Sequence, residues 1–256
     1  MYVETAGDSG AEPVLLLHGG LVSGWMWTDV VASLPAFHCI VPDLPGIDRS
    51  REIPWESLDD TAHQIVELIR RQQRLVHLVG LSLGAVVSLR VMSMAPELID
   101  RAVLSGTLTR PVTGGLAYFQ KLLFWLYSRP RTVHLVARML QIPPEDSRVF
   151  AETARDTPLQ TYRRITQELF REPLTGRLDE IDVPVLAITG EKDSQITRQG
   201  VDDLVRSLPD AVGYLAPGVG HQWSAEDPDL FAAVVKAWLL STDLPDGLIP
   251  RASRAH

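Results

Sequence analysis

Three side chains that could do nucleophilic chemistry together lie far apart in the chain: Ser82 in Gly-Leu-Ser-Leu-Gly (80–84), Asp193 in AITGEKDSQIT and His221 in APGVGHQW. A serine hydroxyl attacks poorly until a base takes its proton, and the base needs an acid to fix its tautomer. Of the seven histidines, His221 is the candidate base, because it follows a strand-like run and precedes the last helical pattern. His77 sits inside LVHLV and reads as a structural residue, His63 lies on a surface-type helix, and His38, His134 and His256 have no such setting. Asp193 is the candidate acid, with Glu191 competing from two residues away. Acyl transfer also needs two N–H groups aimed at the developing oxyanion. The amide of Leu83, directly after the serine, and that of Gly20 in LLLHGGLVSGWMW are the expected donors. His18 is expected to hold that loop by hydrogen bonding rather than to move protons, with Trp25 and Trp27 shaping the adjacent wall.

These groups can meet only if the chain brings the ends of several strands together. Val14 to Leu17, Cys39 to Val41, Leu75 to Val79, Ala102 to Leu104, Val185 to Thr189 and Val212 to Leu215 are short apolar runs. Such runs suit parallel strands covered on both faces. Helical spacing follows over Leu58 to Arg71, from Ala85 to Ala95 where Pro96 ends it, around Gln199 to Ser207, and from Asp229 to Leu240. The alternation predicts a mostly parallel, doubly wound α/β sheet, in which ligands bind at the C-terminal strand ends. Ser82 then lies on a sharp strand-to-helix turn, where glycines at 80 and 84 remove side chains that would collide.

Residues 107–184 break the alternation with helical patterns alone and are read as an inserted helical cap. The core is expected over 1–106 and 185–242, and 243–256 as a flexible tail. Leu122, Leu123, Phe124, Trp125 and Tyr127 are expected to pack the cap onto the sheet, with a few lining its underside. Arg110, Lys121, Arg129, Arg131 and Arg138 are candidates to meet a substrate carboxylate if any faces inward.

A net charge of −8 and a pI near 5.4 argue against a nucleic-acid partner. The single cysteine, Cys39, permits no intrachain disulfide, and it reads as a small buried hydrophobe. No apolar run reaches membrane-spanning length, and the N-terminus has no secretory pattern, so a cytoplasmic location is expected. Oligomeric state has no usable signal. No HExxH pair, phosphate loop or GxGxxG fingerprint occurs, so neither metal nor cofactor is expected.

HGG at 18–20, PDLPGIDRS at 42–50, GLSLG at 80–84, TGEKD ending at Asp193, and GHQWSAEDPDLF at 220–231 together resemble the alpha/beta-hydrolase superfamily, in particular its lid-bearing esterase-like group. The resemblance spans Val14 to Leu240 and departs at Ile47-Asp48, where the family often carries a histidine or another small polar pattern. It implies Ser82 as nucleophile, His221 as base, Asp193 as orienting acid, and the amides of Gly20 and Leu83 as the oxyanion hole. The expected reaction is cleavage of a carboxylic ester or thioester of a small, largely apolar substrate. A carbon–carbon bond hydrolase or lyase acting on a carboxylate-bearing substrate is the first alternative. A non-catalytic binder of small molecules is the second.

Overall fold

Strands covered on both faces need apolar side chains at successive positions, and the central strands supply them. The computed structural model describes residues 1–127, 129, 131–171 and 177–251, leaving aside the side chains of 116, 117, 119–121, 123 and 124. Its strands are β1 (Val3–Ala6), β2 (Glu12–Leu17), β3 (Phe37–Pro42), β4 (Val76–Leu81), β5 (Ile99–Ser105), β6 (Val185–Gly190), β7 (Ala211–Ala216) and β8 (Ile249–Pro250). They form one sheet in the order β1-β3-β2-β4-β5-β6-β7-β8. The interior pairs run parallel, whereas β1 and β8 join their neighbours antiparallel.

Alternate residues of each strand feed two separate cores. Leu15, Leu17, Leu78, Leu104, Val185 and Ala187 face one, and Val14, Leu16, Val79, Val103, Leu186 and Ile188 face the other. Against the first face lie α2 (Leu58–Arg70), α3 (Leu83–Met94) and α8 (Gln195–Ser207); against the second lie α1 (Thr28–Ala32) and α10 (Pro228–Leu239). The start of α2 follows from Ser57, whose hydroxyl accepts the Asp60 amide, and from Asp59 and Asp60 in the positive field of its first turn. Its Ile65, Val66 and Ile69 are buried, each contributing about 1.5–3 kcal/mol. Cys39 lies in β3 at 1% exposure, and burial pushes its thiol up to about 11.

Between β5 and β6 the chain forms α4 (Gly114–Tyr127), α5 (Val133–Met139), α6 (Ser147–Asp156) and α7 (Leu159–Arg171). A third apolar cluster holds these helices on the loop after β2: Tyr127, Val136, Phe150 and Tyr162 pack with Val22. Tyr127 therefore packs inward as expected, but Leu122 and Trp125 do not, each being about half exposed. At roughly 100° per residue they stand on the side of α4 away from Tyr127. Leu123, Phe124 and Lys121 have side chains outside the described set. A short helix, α9 (Trp223–Glu226), precedes α10.

The expected flexible tail is corrected over 243–251. Leu244 and Leu248 pack on the second core, β8 pairs with Tyr214 and Leu215, and Arg251 bonds Asp202 on α8 at 2.5 Å. Residues 252–256 lie outside the described set.

Candidate active site

β4 ends at Leu81 and α3 begins at Leu83, so Ser82 alone makes the turn between them, at φ 55° and ψ −110°. A non-glycine residue held there costs about 1–3 kcal/mol and persists only where the surroundings over-determine it. They do so on three sides. The Ser82 amide donates to the Ser105 carbonyl at 2.8 Å, and its own carbonyl accepts from Val86. A Cβ on Gly84 would lie 2.0 Å from the Leu17 carbonyl oxygen, and one on Gly80 would lie 2.6 Å from the Gly84 backbone. Both glycines are thus demanded by close packing of the turn on β2 and α3.

Asp193 follows β6 and His221 follows β7, so both stand beyond strand ends on the same rim of the sheet as Ser82. His221 Nδ1 lies 2.7 Å from Asp193 Oδ2, and that oxygen also accepts from Thr189 Oγ1 at 2.5 Å. The other carboxylate oxygen accepts from the Ser194 amide at 2.6 Å. Glu191 is elsewhere, accepting from the Gly218 amide. With the proton on Nδ1 directed at Asp193, Nε2 is the nitrogen available as a base.

Burial alone would lower the His221 pKa, but the charge and hydrogen bond of Asp193, with the nearby charge of Glu226, carry it above the usual 6.5. Burial would raise that of Asp193, yet His221, Thr189 and the Ser194 amide hold it below the ordinary carboxyl value.

The peptide segment Ser105-Gly106 joins the serine turn to the histidine. Ser105 accepts the Ser82 amide through its carbonyl and the Trp223 indole N–H through its hydroxyl, at 2.8 Å in each case. Gly106, at φ 61°, passes so close to the imidazole that a Cβ there would stand 2.7 Å from Cε1. Ser105, Gly106, Thr189 and Trp223 were not singled out by sequence. The only signal was Trp223 in GHQW, two residues after the histidine.

The loop after β2 brings Gly20 beside Leu83, with a Cβ at Gly20 falling 3.8 Å from that of Leu83. As the first residue of α3, Leu83 has an amide with no acceptor inside the helix. His18 fixes this loop as expected: Nδ1–H donates to the Gly19 carbonyl at 2.8 Å, and Nε2 accepts the Leu44 amide at 2.9 Å. Burial keeps its pKa below the ordinary value, which favours the neutral tautomer these two bonds require.

Asp48 ties the same loop to the inserted helices. Its Oδ2 accepts from Ser23 Oγ at 2.6 Å and Thr153 Oγ1 at 3.2 Å, while its amide donates to Thr157 Oγ1. Tyr127 adds a bond to the Leu21 carbonyl. Asp48→Ala removes a charged acceptor from two hydroxyls and is expected to cost about 2 kcal/mol in urea unfolding. An unchanged midpoint would mean that solvent replaces those bonds without loss.

Beside Asp193 and His221 opens a cavity of ≈ 400 Å³, bordered by Met139, Leu140, Gln141, Lys192 and Gln222. A larger groove of ≈ 570 Å³ lies elsewhere, where Glu168, Arg164, Asp59 and Arg90 meet, and it contains none of these residues. Of the basic residues considered for a substrate carboxylate, the four with described side chains face away. Arg110 pairs with Asp203 on α8 at 2.7 Å, Arg129 covers the exposed Trp125 ring, and Arg131 and Arg138 are exposed. Among the described residues, no group of three or more His, Cys, Asp or Glu stands where it could hold a metal ion.

Comparison with known proteins gives one family match: the model of the alpha/beta hydrolase family fits residues 14–234. Among curated proteins, the chain is 26% identical to a pimeloyl-[acyl-carrier protein] methyl ester esterase of Pectobacterium carotovorum, covering 93% of this chain and 98% of that one. It is 28% identical to the monoacylglycerol lipase ABHD6 of Rattus norvegicus, over 94% and 79% respectively. Among solved structures, 2-hydroxy-6-oxo-6-phenylhexa-2,4-dienoate hydrolase from Rhodococcus superposes with a TM-score of 0.78 at 21% identity, covering 93% and 94%.

Proposed function

Because the chain belongs to the alpha/beta hydrolase family, we propose that it cleaves a carboxylic ester or thioester of a small, largely apolar substrate through Ser82, His221 and Asp193. The observation that carries this reading is the 2.7 Å bond from His221 to a buried Asp193, on an imidazole braced by the same Ser105-Gly106 segment that anchors the serine turn. The esterase and lipase among its relatives support an ester as substrate.

In the proposed reaction Ser82 Oγ attacks the carbonyl carbon as His221 Nε2 takes its proton. The oxyanion forms toward the amides of Gly20 and Leu83, and the dipole of α3 assists it. Asp193 holds the imidazolium in place without taking its proton. His221 then protonates the departing alcohol or thiol, leaving an acyl group on Ser82. Water deprotonated by His221 attacks that acyl group, and the acid leaves with Ser82 restored. Residues 107–184 act as a cap over this site, and Asp48 and Tyr127 seat them against the oxyanion loop. Carbon–carbon cleavage would call for a cation facing a substrate carboxylate; the outward-facing Arg110, Arg129, Arg131 and Arg138 do not fill that role, and Lys192, at the border of the cavity, is the described cation such a reading would need.

A small fluorophosphonate followed by intact-mass measurement tests the proposal, alongside p-nitrophenyl esters of increasing chain length. One adduct on the wild type, with turnover peaking at one chain length, is the expected result. An adduct without ester turnover would move the substrate to another bond type. No adduct at all would favour a binding protein of the same fold.

Since the base must be neutral to work, kcat/KM should fall as pH drops through the raised pKa of His221. Its acid limb is therefore expected above pH 6.5. A limb below that value would show that another group, or an imidazole without its carboxylate, controls the rate. Gly106→Ala adds a methyl group against the imidazole and is expected to lower kcat/KM by about 10²-fold, as a displacement near 1 Å does. Unaltered kcat/KM would mean that His221 can move aside and still work.

A further inference from the structure

In an acidic chain with 32 Asp and Glu residues, the stretch from Arg101 to Pro144 contains none, yet it carries Arg101, Arg110, Lys121, Arg129, Arg131 and Arg138. The same stretch exposes most of the large apolar side chains found at the surface of the described residues. Tyr118, Leu122 and Trp125 are 75%, 52% and 51% exposed, and Leu135 and Met139 are nearly half exposed. Spacings of four and seven put the first three on one narrow stripe of α4, while Tyr127 on its other side anchors the helix to Leu21 and Tyr162. On α5, Leu135 and Met139 stand one turn apart, and Val133, Val136 and Ala137 are buried on the opposite face. The Arg129 guanidinium lies 4.1 Å from the centre of the Trp125 ring, so cation and aromatic surface form one patch.

From this coincidence of exposed aromatic and aliphatic side chains with an acid-free basic run, we propose that the outer face of α4 and α5 docks on an anionic lipid surface. Tyr and Trp are the side chains that settle at headgroup depth, and Leu122 between them would reach the acyl boundary. Arg129, Arg131 and Arg138 would meet the phosphates, each worth roughly fivefold in partitioning. A second copy of the chain fits less well, because a twofold contact would set Arg129, Arg131 and Arg138 against themselves, and α4 and α5 carry no carboxylate of their own to pair with them. The helices would lie on the membrane rather than cross it, in keeping with the lack, among the described residues, of any helix long and apolar enough to span one. Met139 also borders the cavity beside His221, so the docked face would open toward the catalytic centre. The opening toward the catalytic centre rests on the hydrolase reading, whereas the docking itself does not.

The test is co-sedimentation with vesicles of phosphatidylcholine alone and of phosphatidylcholine mixed with phosphatidylglycerol. Wild type should pellet at least about tenfold more strongly with the anionic vesicles, and raised salt should release it. A Tyr118→Ser, Leu122→Gln, Trp125→Ser variant should lose about tenfold in binding, while keeping its melting temperature and its turnover of a water-soluble ester. Failure to pellet with either vesicle, or equal pelleting of wild type and variant, would overturn the proposal. So would a dimer in solution that the triple substitution dissolves, because the face would then serve self-association. Pelleting is read without turnover, so an inactive enzyme would sink the hydrolase reading and leave the docking intact.

Discussion

Ser82→Ala is expected to lower ester turnover by about 10⁴ to 10⁶-fold, while the protein unfolds at nearly the wild-type denaturant midpoint. The substitution removes one oxygen and leaves the backbone bonds of the turn, from the Ser82 amide to Ser105 and from Val86 to the residue 82 carbonyl. Alanine pays the same penalty as serine for a positive φ, so the strain of the turn is unaltered. Loss of activity with retained stability would therefore report chemistry rather than folding. Turnover within about tenfold of wild type would remove Ser82 from the nucleophile's role, since nothing else at residue 82 can attack.

Asp193→Asn carries the second large effect, expected near 10⁴-fold in kcat. An asparagine amide can donate to the imidazole nitrogen that Asp193 now accepts from, which turns the tautomer and leaves Nε2 protonated and useless as a base. The pH dependence offers a second readout. The Asp193 charge is what lifts the His221 pKa against the effect of burial, so the acid limb of the residual activity should move downward in the variant. Glu191→Gln, by contrast, touches a carboxylate bonded to the Gly218 amide, and its effect should stay within about tenfold. The opposite ranking of the two variants would transfer the acid's role to Glu191.

Strands β2 to β6 were legible because both of their faces are buried over most of their length, which leaves apolar runs, whereas in β7 Val212 and Tyr214 are half-buried and the run from Val212 to Leu215 alone marked it. β1 was not, since Glu4 and Thr5 are exposed and only an edge pairing with β3 makes the segment a strand. β8 has two residues, and only its register with Tyr214 and Leu215 makes it a strand. At the candidate site, Ser82 and the flanking glycines could be read locally, because a strand, a turn and a helix follow one another within a few residues. The brace between Ser105, Trp223 and Gly106 could not. Its partners are 118 residues apart, and no local pattern reports a hydrogen bond across such a separation. Charge alone also left Arg110 open as a substrate partner. What decides its direction is Asp203 on α8, which draws the guanidinium and the Thr109 hydroxyl together and pins the entry to the inserted helices.

Burial of Cys39 has a practical consequence. At 1% exposure and with its thiol shifted to about 11, it carries almost no thiolate near neutrality, and maleimide or iodoacetamide reagents should pass over the folded protein. The native chain thus behaves as a cysteine-free background. A cysteine introduced on the outer stripe of α4 would be the one attachment point for a fluorophore or spin label, with no native thiol to remove first.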